Sequence, residues 1–113
     1  MGLKASDVPE LSSGIDTATA TSGAATLNAQ CGTITTEALT TAAGADYTLT
    51  LTNTRVDAGG VPFFSVALGS ATAGGPYIAH SPVITEDQVV VKVRNLHASA
   101  AANGTLKINF LLI

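Results

Sequence analysis

The stretch from Gln88 to Ile113 constrains the fold most, because it contains two runs in which apolar and polar residues alternate. The apolar positions of the two runs are Val89, Val91, Val93, Leu106, Ile108, Phe110 and Leu112. Successive side chains of a strand point to opposite faces, so each run predicts a strand with one buried face. Asn103-Gly104 lies between the runs and indicates a hairpin, because both residue types tolerate positive φ. We therefore predict that the two strands form one layer of an antiparallel sheet.

Further strands are predicted upstream of this stretch. The segment Asp46 to Asn53 alternates a tyrosine and two leucines with three threonines, and Pro62 to Leu68 is a second apolar segment. A third, Ala25 to Glu37, is interrupted by Gly32, which we expect in a bulge or bend. The pattern predicts about six to eight short strands. We therefore expect an all-β fold, an antiparallel β-sandwich that is jelly-roll-like and has an extended N-terminal arm.

The chain divides into an N-terminal arm, residues 1–23, and a single β-sandwich domain, residues 24–113. The arm is rich in Ser, Thr and Ala, with Gly14 and Gly23 as breakers, and it has little apolar surface to bury. Two alternatives stay open for it: it orders by lying along another surface, or it is a free tail.

The charge content argues against a nucleic-acid partner, and the short apolar runs argue against a membrane partner. Charged residues make up only 12% of the chain, the net charge is −3, and the five Lys and Arg residues are scattered. Because a phosphate backbone requires clustered basic residues, we expect no nucleic-acid partner. No apolar run approaches the roughly 20 residues of a membrane span, and the N-terminus lacks the apolar core of a signal peptide. We therefore expect no membrane partner either.

The residue types that carry chemistry are sparse. Cys31 is the sole cysteine, so it cannot form an internal disulfide; we expect a buried side chain and a reducing compartment. With His80 and His97 it does not give the ligand spacing of a zinc site. Neither Ser65 nor Ser81 lies in a nucleophile-elbow sequence, although Ser81 follows His80 directly. We predict no catalytic residues, no cofactor and no metal, and hence a protein that is not an enzyme.

A calcium-binding site is the one metal site that the sequence does not exclude. Glu86 and Asp87 could bind Ca²⁺ together with Asp46 or Asp57, but only if their loops converge, since no EF-hand spacing is present. Solvated turn residues explain these acids more simply.

The C-terminal strand ends in a run that is apolar on both faces. If Phe110 and Leu112 face the core, then Leu111 and Ile113 face outward, and an exposed apolar tip of this kind usually marks an interface. We therefore expect a homo-oligomer, dimer or trimer, or a docking surface. The predicted interface residues are Leu11, Ile15, Leu27, Phe64, Phe110, Leu111, Leu112 and Ile113.

Two segments carry a resemblance to a known family. They are GTITTEALTTAAGADYTLTLTN, from Gly32 to Asn53, and ITEDQVVVKVRNLHASAAANGTLKINFLLI, from Ile84 to Ile113. The Thr-Leu-Thr-Leu-Thr-Asn strand and the Val-Lys-Val-Arg-Asn strand, followed by Asn-Gly and an apolar finish, resemble the small capsid decoration (cement) proteins of tailed bacteriophages. Thr54 to Pro82 carries no part of the resemblance.

The resemblance implies a structural virion protein with a jelly-roll-like sandwich. It would be made in the host bacterial cytoplasm, bind the major capsid protein on the capsid exterior and stabilise neighbouring capsomers. It supplies no catalytic residues. Because similar strands occur in phage tail-fibre and tailspike modules, a receptor-binding β module for host surface glycan is the alternative.

Overall fold

The computed structural model describes residues 16–113, which contain eight strands and no helix. No segment of this described part is therefore a helix long and apolar enough to cross a membrane. The strands are β1 (Asp16–Thr19), β2 (Ala24–Thr26), β3 (Cys31–Thr35), β4 (Asp46–Thr52), β5 (Pro62–Leu68), β6 (Tyr77–Thr85), β7 (Gln88–Asn95) and β8 (Leu106–Leu112). The predicted all-β class is confirmed.

The strands form two four-stranded sheets. In sheet A the order is β1-β3-β8-β5, and in sheet B it is β2-β4-β7-β6. Most neighbours are antiparallel, but β1 runs parallel to β3 and β2 runs parallel to β4. The expectation of purely antiparallel sheets is therefore wrong, and both sheets are mixed. The reason is local: a tight turn between β1 and β2 carries the chain from the edge of one sheet to the edge of the other.

One hydrophobic core is shared by the two sheets. Its fully buried side chains come from the inner faces of β3, β4, β7 and β8: Ile34, Leu49, Leu51, Val91, Val93, Leu106 and Ile108. These are the apolar positions of the alternating patterns, so the predicted buried faces of the strands are confirmed. Burying a Val, Leu or Ile side chain stabilises a fold by about 1.5–3 kcal/mol, which makes these rows the main source of stability.

The last two strands do not form the predicted hairpin. β7 pairs with β4 and β6, whereas β8 pairs with β3 and β5 in the other sheet. The connection between them crosses the end of the molecule. Within it Gly104 forms an isolated bridge with Leu39 and is not among the residues with positive φ. The prediction failed because alternation shows which face of a strand is buried but not which strand lies beside it.

Gly32 is the second residue of β3 and pairs regularly there, so it does not lie in a bulge. A Cβ at this position would lie 2.6 Å from Leu27 Cδ2 and 2.9 Å from the carbonyl oxygen of Asp16, so glycine is needed for close packing against β1. The irregularity in pairing occurs instead in β6, between His80 and Val83. Ser81 in this bulge has φ 51°, a left-handed conformation that is uncommon for a residue other than glycine.

The described part begins inside the segment that the sequence assigned to the arm. Asp16–Thr19 pairs with β3, and Ala20 is buried in the core, so these residues belong to the folded body. Leu11 and Ile15, two of the predicted interface residues, lie outside the described residues.

Candidate interaction surface

An apolar patch covers one end of the outer face of sheet A. It consists of Val61, Phe63, Leu111 and Ile113, and we call it the apolar end of sheet A. Phe63 lies opposite Leu111 in the ladder, and Val61 and Ile113 exchange two backbone hydrogen bonds of 2.9 Å. Val61, Phe63 and Ile113 are 52%, 53% and 72% exposed, while Leu111 is half-buried. Three large apolar side chains are thus held side by side in contact with solvent.

The structure separates the predicted interface residues into inner and outer positions. Leu111 and Ile113 face outward, as the alternation predicts, and Leu112 packs against the core. Phe110 is 4% exposed and lies within the core, so it has almost no area to offer a partner.

Leu27 and Phe64 also pack against the core, and each is only half-buried. Of the two adjacent phenylalanines it is Phe63, and not the predicted Phe64, that is exposed on the outer face. The physical reason is register: Phe64 pairs with the buried Phe110, which places both rings on the inner face of the sheet.

Strand β5 is an edge strand of sheet A and carries no charge. The segment from Val61 to Ser70 contains no Asp, Glu, Lys or Arg. Because Val61 bonds to Ile113, the alternation of an antiparallel ladder points the backbone groups of Phe64 and Val66 away from β8. Natural edge strands are usually protected by charges, prolines or bulges, and here Pro62 is the one such device in the strand. An uncharged edge beside an apolar patch is typical of a surface that another protein covers.

A cleft of about 490 Å³ adjoins this patch and shares Val61 and Ile113 with it. Val89 and Val56, both buried, lie in its apolar wall, and Arg55 and Asp57 add charged groups. The apolar end of sheet A is therefore continuous with a recess that can receive a side chain of a partner.

A smaller cleft of about 270 Å³ lies near the opposite ends of β5 and β8, between Leu68 and the segment that contains Gly75, Pro76 and Tyr77. The Tyr77 hydroxyl donates a 2.6 Å hydrogen bond to the carbonyl oxygen of Ala73, and burial raises the pKa of this tyrosine. The ring is thereby fixed along the wall of the cleft.

A charged cluster lies on the outer face of sheet B, where β4, β7 and β6 are adjacent. The carboxylate of Asp46 accepts two hydrogen bonds from Arg94, both 3.0 Å, and a third contact of 2.9 Å from His80 Nε2. The hydrogen bonds from Arg94 and then His80 hold the pKa of Asp46 well below its usual range. His80 Nδ1 lies 3.0 Å from the hydroxyl of Ser81.

This cluster places a serine, a histidine and an aspartate in a row, although no nucleophile motif surrounds Ser81 in the sequence. Neither of the two clefts described above includes these residues. Both Asp46 oxygens bind Arg94, so the ion pair joins β4 to β7, and the contact with His80 adds β6. We interpret the cluster as a cross-strand ion pair that sequence reasoning missed, because the pairing of β4 with β7 is not visible in the sequence.

His97 and Asp87, which were considered as metal ligands, take part in hydrogen bonds that stabilise the fold. His97 Nδ1 accepts the backbone N–H groups of Ser99 and Ala100 at 3.0 and 2.8 Å. The turn at Asp87 does converge with the loop after β4, since its N–H donates to Val56 at 2.9 Å. Even so, residues 16–113 contain no group of three His, Cys, Asp or Glu side chains that could hold a metal ion.

Glu37 connects two other parts of the chain. Its carboxylate accepts hydrogen bonds from the Tyr47 hydroxyl at 2.7 Å and from the Gly23 N–H at 2.8 Å. Burial opposes ionisation, but these bonds outweigh it and lower the pKa of Glu37. Burial and the bond to Glu37 raise the pKa of Tyr47. The pair fixes the turn before β2 against β4.

Comparisons with protein-family models, with curated proteins and with solved structures found no match for this chain.

Proposed function

We propose that this protein is a structural virion protein that binds the outside of a bacteriophage capsid and cements neighbouring capsomers. The observation that carries the proposal is the apolar end of sheet A, three exposed apolar side chains beside an uncharged edge strand. The resemblance of two segments to decoration proteins supports the same role. The proposal includes a jelly-roll-like sandwich architecture and the major capsid protein as partner. It requires no catalysis and no cofactor.

The size of the apolar end of sheet A favours binding at many points. Val61, Phe63 and Ile113 are each about half exposed or more, so covering them would contribute roughly 1 kcal/mol apiece, or about 3 kcal/mol in total. A micromolar complex needs about 8 kcal/mol, so this patch alone would bind weakly. A dimer or trimer that contacts a repeating lattice multiplies weak contacts through effective concentration. We therefore include a homo-oligomer in the proposal.

The proposal is tested by sedimentation with undecorated phage heads. The unmodified protein should pellet with the heads at saturating, stoichiometric occupancy. Phe63→Ser should reduce occupancy, because it removes the central ring of the patch. Val83→Ser is the matched control, since Val83 is 60% exposed on the edge strand of sheet B and should bind normally. Equal losses in both variants, or no pelleting of the unmodified protein, would overturn the assignment.

The contribution of the N-terminal segment needs a carefully placed deletion. Removing residues 2–20 would delete β1 and the buried Ala20, so a loss of binding could reflect damage to sheet A. Removing residues 2–15 leaves all eight strands intact. The proposal predicts weaker binding of the shorter deletion with an unchanged melting temperature, and unchanged binding would exclude this segment from the interface.

The alternative function is a tail-fibre or tailspike module that binds host surface glycan. The cleft beside Tyr77 and Pro76 is the feature that favours it, because an aromatic ring and a proline form an apolar wall of the kind that packs against a sugar. A stable soluble trimer that ignores heads but binds a glycan array would favour this alternative over capsid binding. Localisation on the capsid exterior, after synthesis in the host bacterial cytoplasm, belongs to the first proposal only.

A further inference from the structure

The side-chain amide of Asn103 is held by three hydrogen bonds at the end of the molecule. Its Oδ1 accepts the backbone N–H groups of Thr72 and Ala73, at 2.7 and 2.8 Å. Its Nδ2 donates to the Thr72 hydroxyl at 2.8 Å. Asn103 is exposed, and the next residue is Gly104.

Two backbone N–H groups directed at one carbonyl oxygen are the arrangement of an oxyanion hole. Such donors draw electrons from the amide carbon and stabilise the negative charge that develops on the oxygen when a nucleophile attacks. The nucleophile that follows in the chain is the backbone nitrogen of Gly104, and glycine has no Cβ beside this nitrogen, although the residue itself is buried. The site therefore places a polarised carbonyl carbon one residue before the Gly104 nitrogen, and a bond between these two atoms closes a five-membered ring.

We propose that Asn103-Gly104 is a self-modification site at which the folded protein deamidates. The Gly104 nitrogen, losing its proton to water or hydroxide, forms a bond to Asn103 Cγ. The bond from Cγ to Nδ2 breaks, Nδ2 takes up a proton, and ammonia leaves a succinimide. Water then opens the succinimide to aspartate or isoaspartate. Water is the one co-reactant, and no oxidation or reduction takes place.

The other asparagines of the chain provide internal controls. Asn53 and Asn95 each accept two backbone N–H groups at Oδ1 as well, but both are fully buried and are followed by Thr54 and Leu96. Asn28 and Asn109 precede Ala29 and Phe110, so Asn103 is the one asparagine of the sequence that precedes glycine. Modification should therefore be confined to one position, although the chain has five asparagines.

The fold also discriminates between the two products. An aspartate at position 103 keeps an oxygen for the Thr72 and Ala73 N–H groups and adds one negative charge to the net −3. An isoaspartate lengthens the backbone next to Gly104, which is buried and whose carbonyl accepts the Leu39 N–H at 2.8 Å. The folded protein should thus accumulate aspartate in preference to isoaspartate.

The test is peptide mapping by mass spectrometry after incubation at mildly alkaline pH, folded and in urea. We expect deamidation at Asn103 alone, at least as fast in the folded protein as in the unfolded chain. An Asn103 that stays intact in the folded protein while the unfolded chain reacts would overturn the proposal, because the fold would then protect the site.

A variant tests the role of the backbone donors. Thr72→Pro removes one of the two N–H groups and should slow the reaction of the folded protein by about tenfold or more, by analogy with loss of one oxyanion donor. Thr72→Val keeps that N–H, removes the hydroxyl partner and should react nearly normally. If Thr72→Pro loses the fold, Ala73→Pro removes the second donor as a substitute. A folded proline variant that reacts at the unmodified rate would overturn the assigned role of these donors.

Discussion

Replacing Asn95 by alanine should destabilise this fold strongly, because its buried side chain holds three loops together at one end of the molecule. The side chain is 0% exposed. Its Oδ1 accepts the backbone N–H groups of Gly75 and His97, at 2.9 and 3.0 Å. Its Nδ2 donates to the carbonyl oxygens of Thr41 and Ala100, at 3.1 and 2.9 Å. Alanine would leave four backbone groups without these partners.

A buried donor or acceptor that loses its partner costs about 1–3 kcal/mol, and water entering the vacated space recovers part of that. We therefore expect Asn95→Ala to lower the free energy of unfolding by about 3 kcal/mol. A domain of this size has about 5–15 kcal/mol in total, so the loss is large. With a slope of about 1.5 kcal/mol per molar urea, the unfolding midpoint should fall by about 2 M.

The matched control is Asn109→Ala, on the outer face of sheet A. Asn109 makes side-chain hydrogen bonds to the hydroxyls of Thr33 and Ser65, which water can replace. Its midpoint should shift by no more than the equivalent of about 0.5 kcal/mol, the usual size of a surface effect. Equal unfolding midpoints for Asn95→Ala and Asn109→Ala would show that the buried hydrogen bonds of Asn95 contribute no more to stability than those of Asn109.

Two further predictions concern single contacts. The Arg94 and His80 bonds lower the pKa of Asp46, so its carboxylate stabilises the fold above the unfolded pKa of about 3.9, and this stabilisation is lost as pH falls through the lower folded pKa. Below about pH 4 the melting temperature of Asp46→Asn should therefore fall less steeply with pH than that of the unmodified protein. Parallel curves of melting temperature against pH would contradict the assigned ion pair. Gly32→Ala should lower the free energy of unfolding by about 1–3 kcal/mol, because its Cβ would overpack against Asp16 and Leu27. Gly59→Ala is the control in urea unfolding and should be nearly neutral, since its Cβ would have no contact closer than 3.9 Å. An unchanged stability of Gly32→Ala would show that β1 is not packed this closely.

The sequence predicted β4, β5, β7 and β8 well because their pattern is local, whereas the segment predicted from Ala25 to Glu37 divides into β2 and β3 in different sheets. In Asp46–Thr52 and Gln88–Asn95, alternation alone identifies the buried face, and Leu49 and Val91 are fully buried as expected. The same pattern contains no information on neighbours. It therefore could not show that β7 and β8 belong to different sheets, or that β1 and β2 run parallel to their partners.

The exposed apolar end of sheet A was predictable in its location but not in all its residues. The outward direction of Leu111 and Ile113 followed from alternation in the last strand. The choice between Phe63 and Phe64 depends on which of them lies opposite Phe110, and that register is set by the pairing of β5 with β8. Likewise, Asp46 and Arg94 are far apart in sequence and meet only through the register of β4 and β7.

Cryo-electron microscopy of phage heads mixed with this protein would show whether the apolar end of sheet A contacts the capsid or neighbouring copies on it, as we propose. We expect added density outside the shell, with Val61, Phe63 and Ile113 buried against capsid protein or an adjacent copy. Heads without added density, or added density in which this end of sheet A faces solvent, would overturn the proposal.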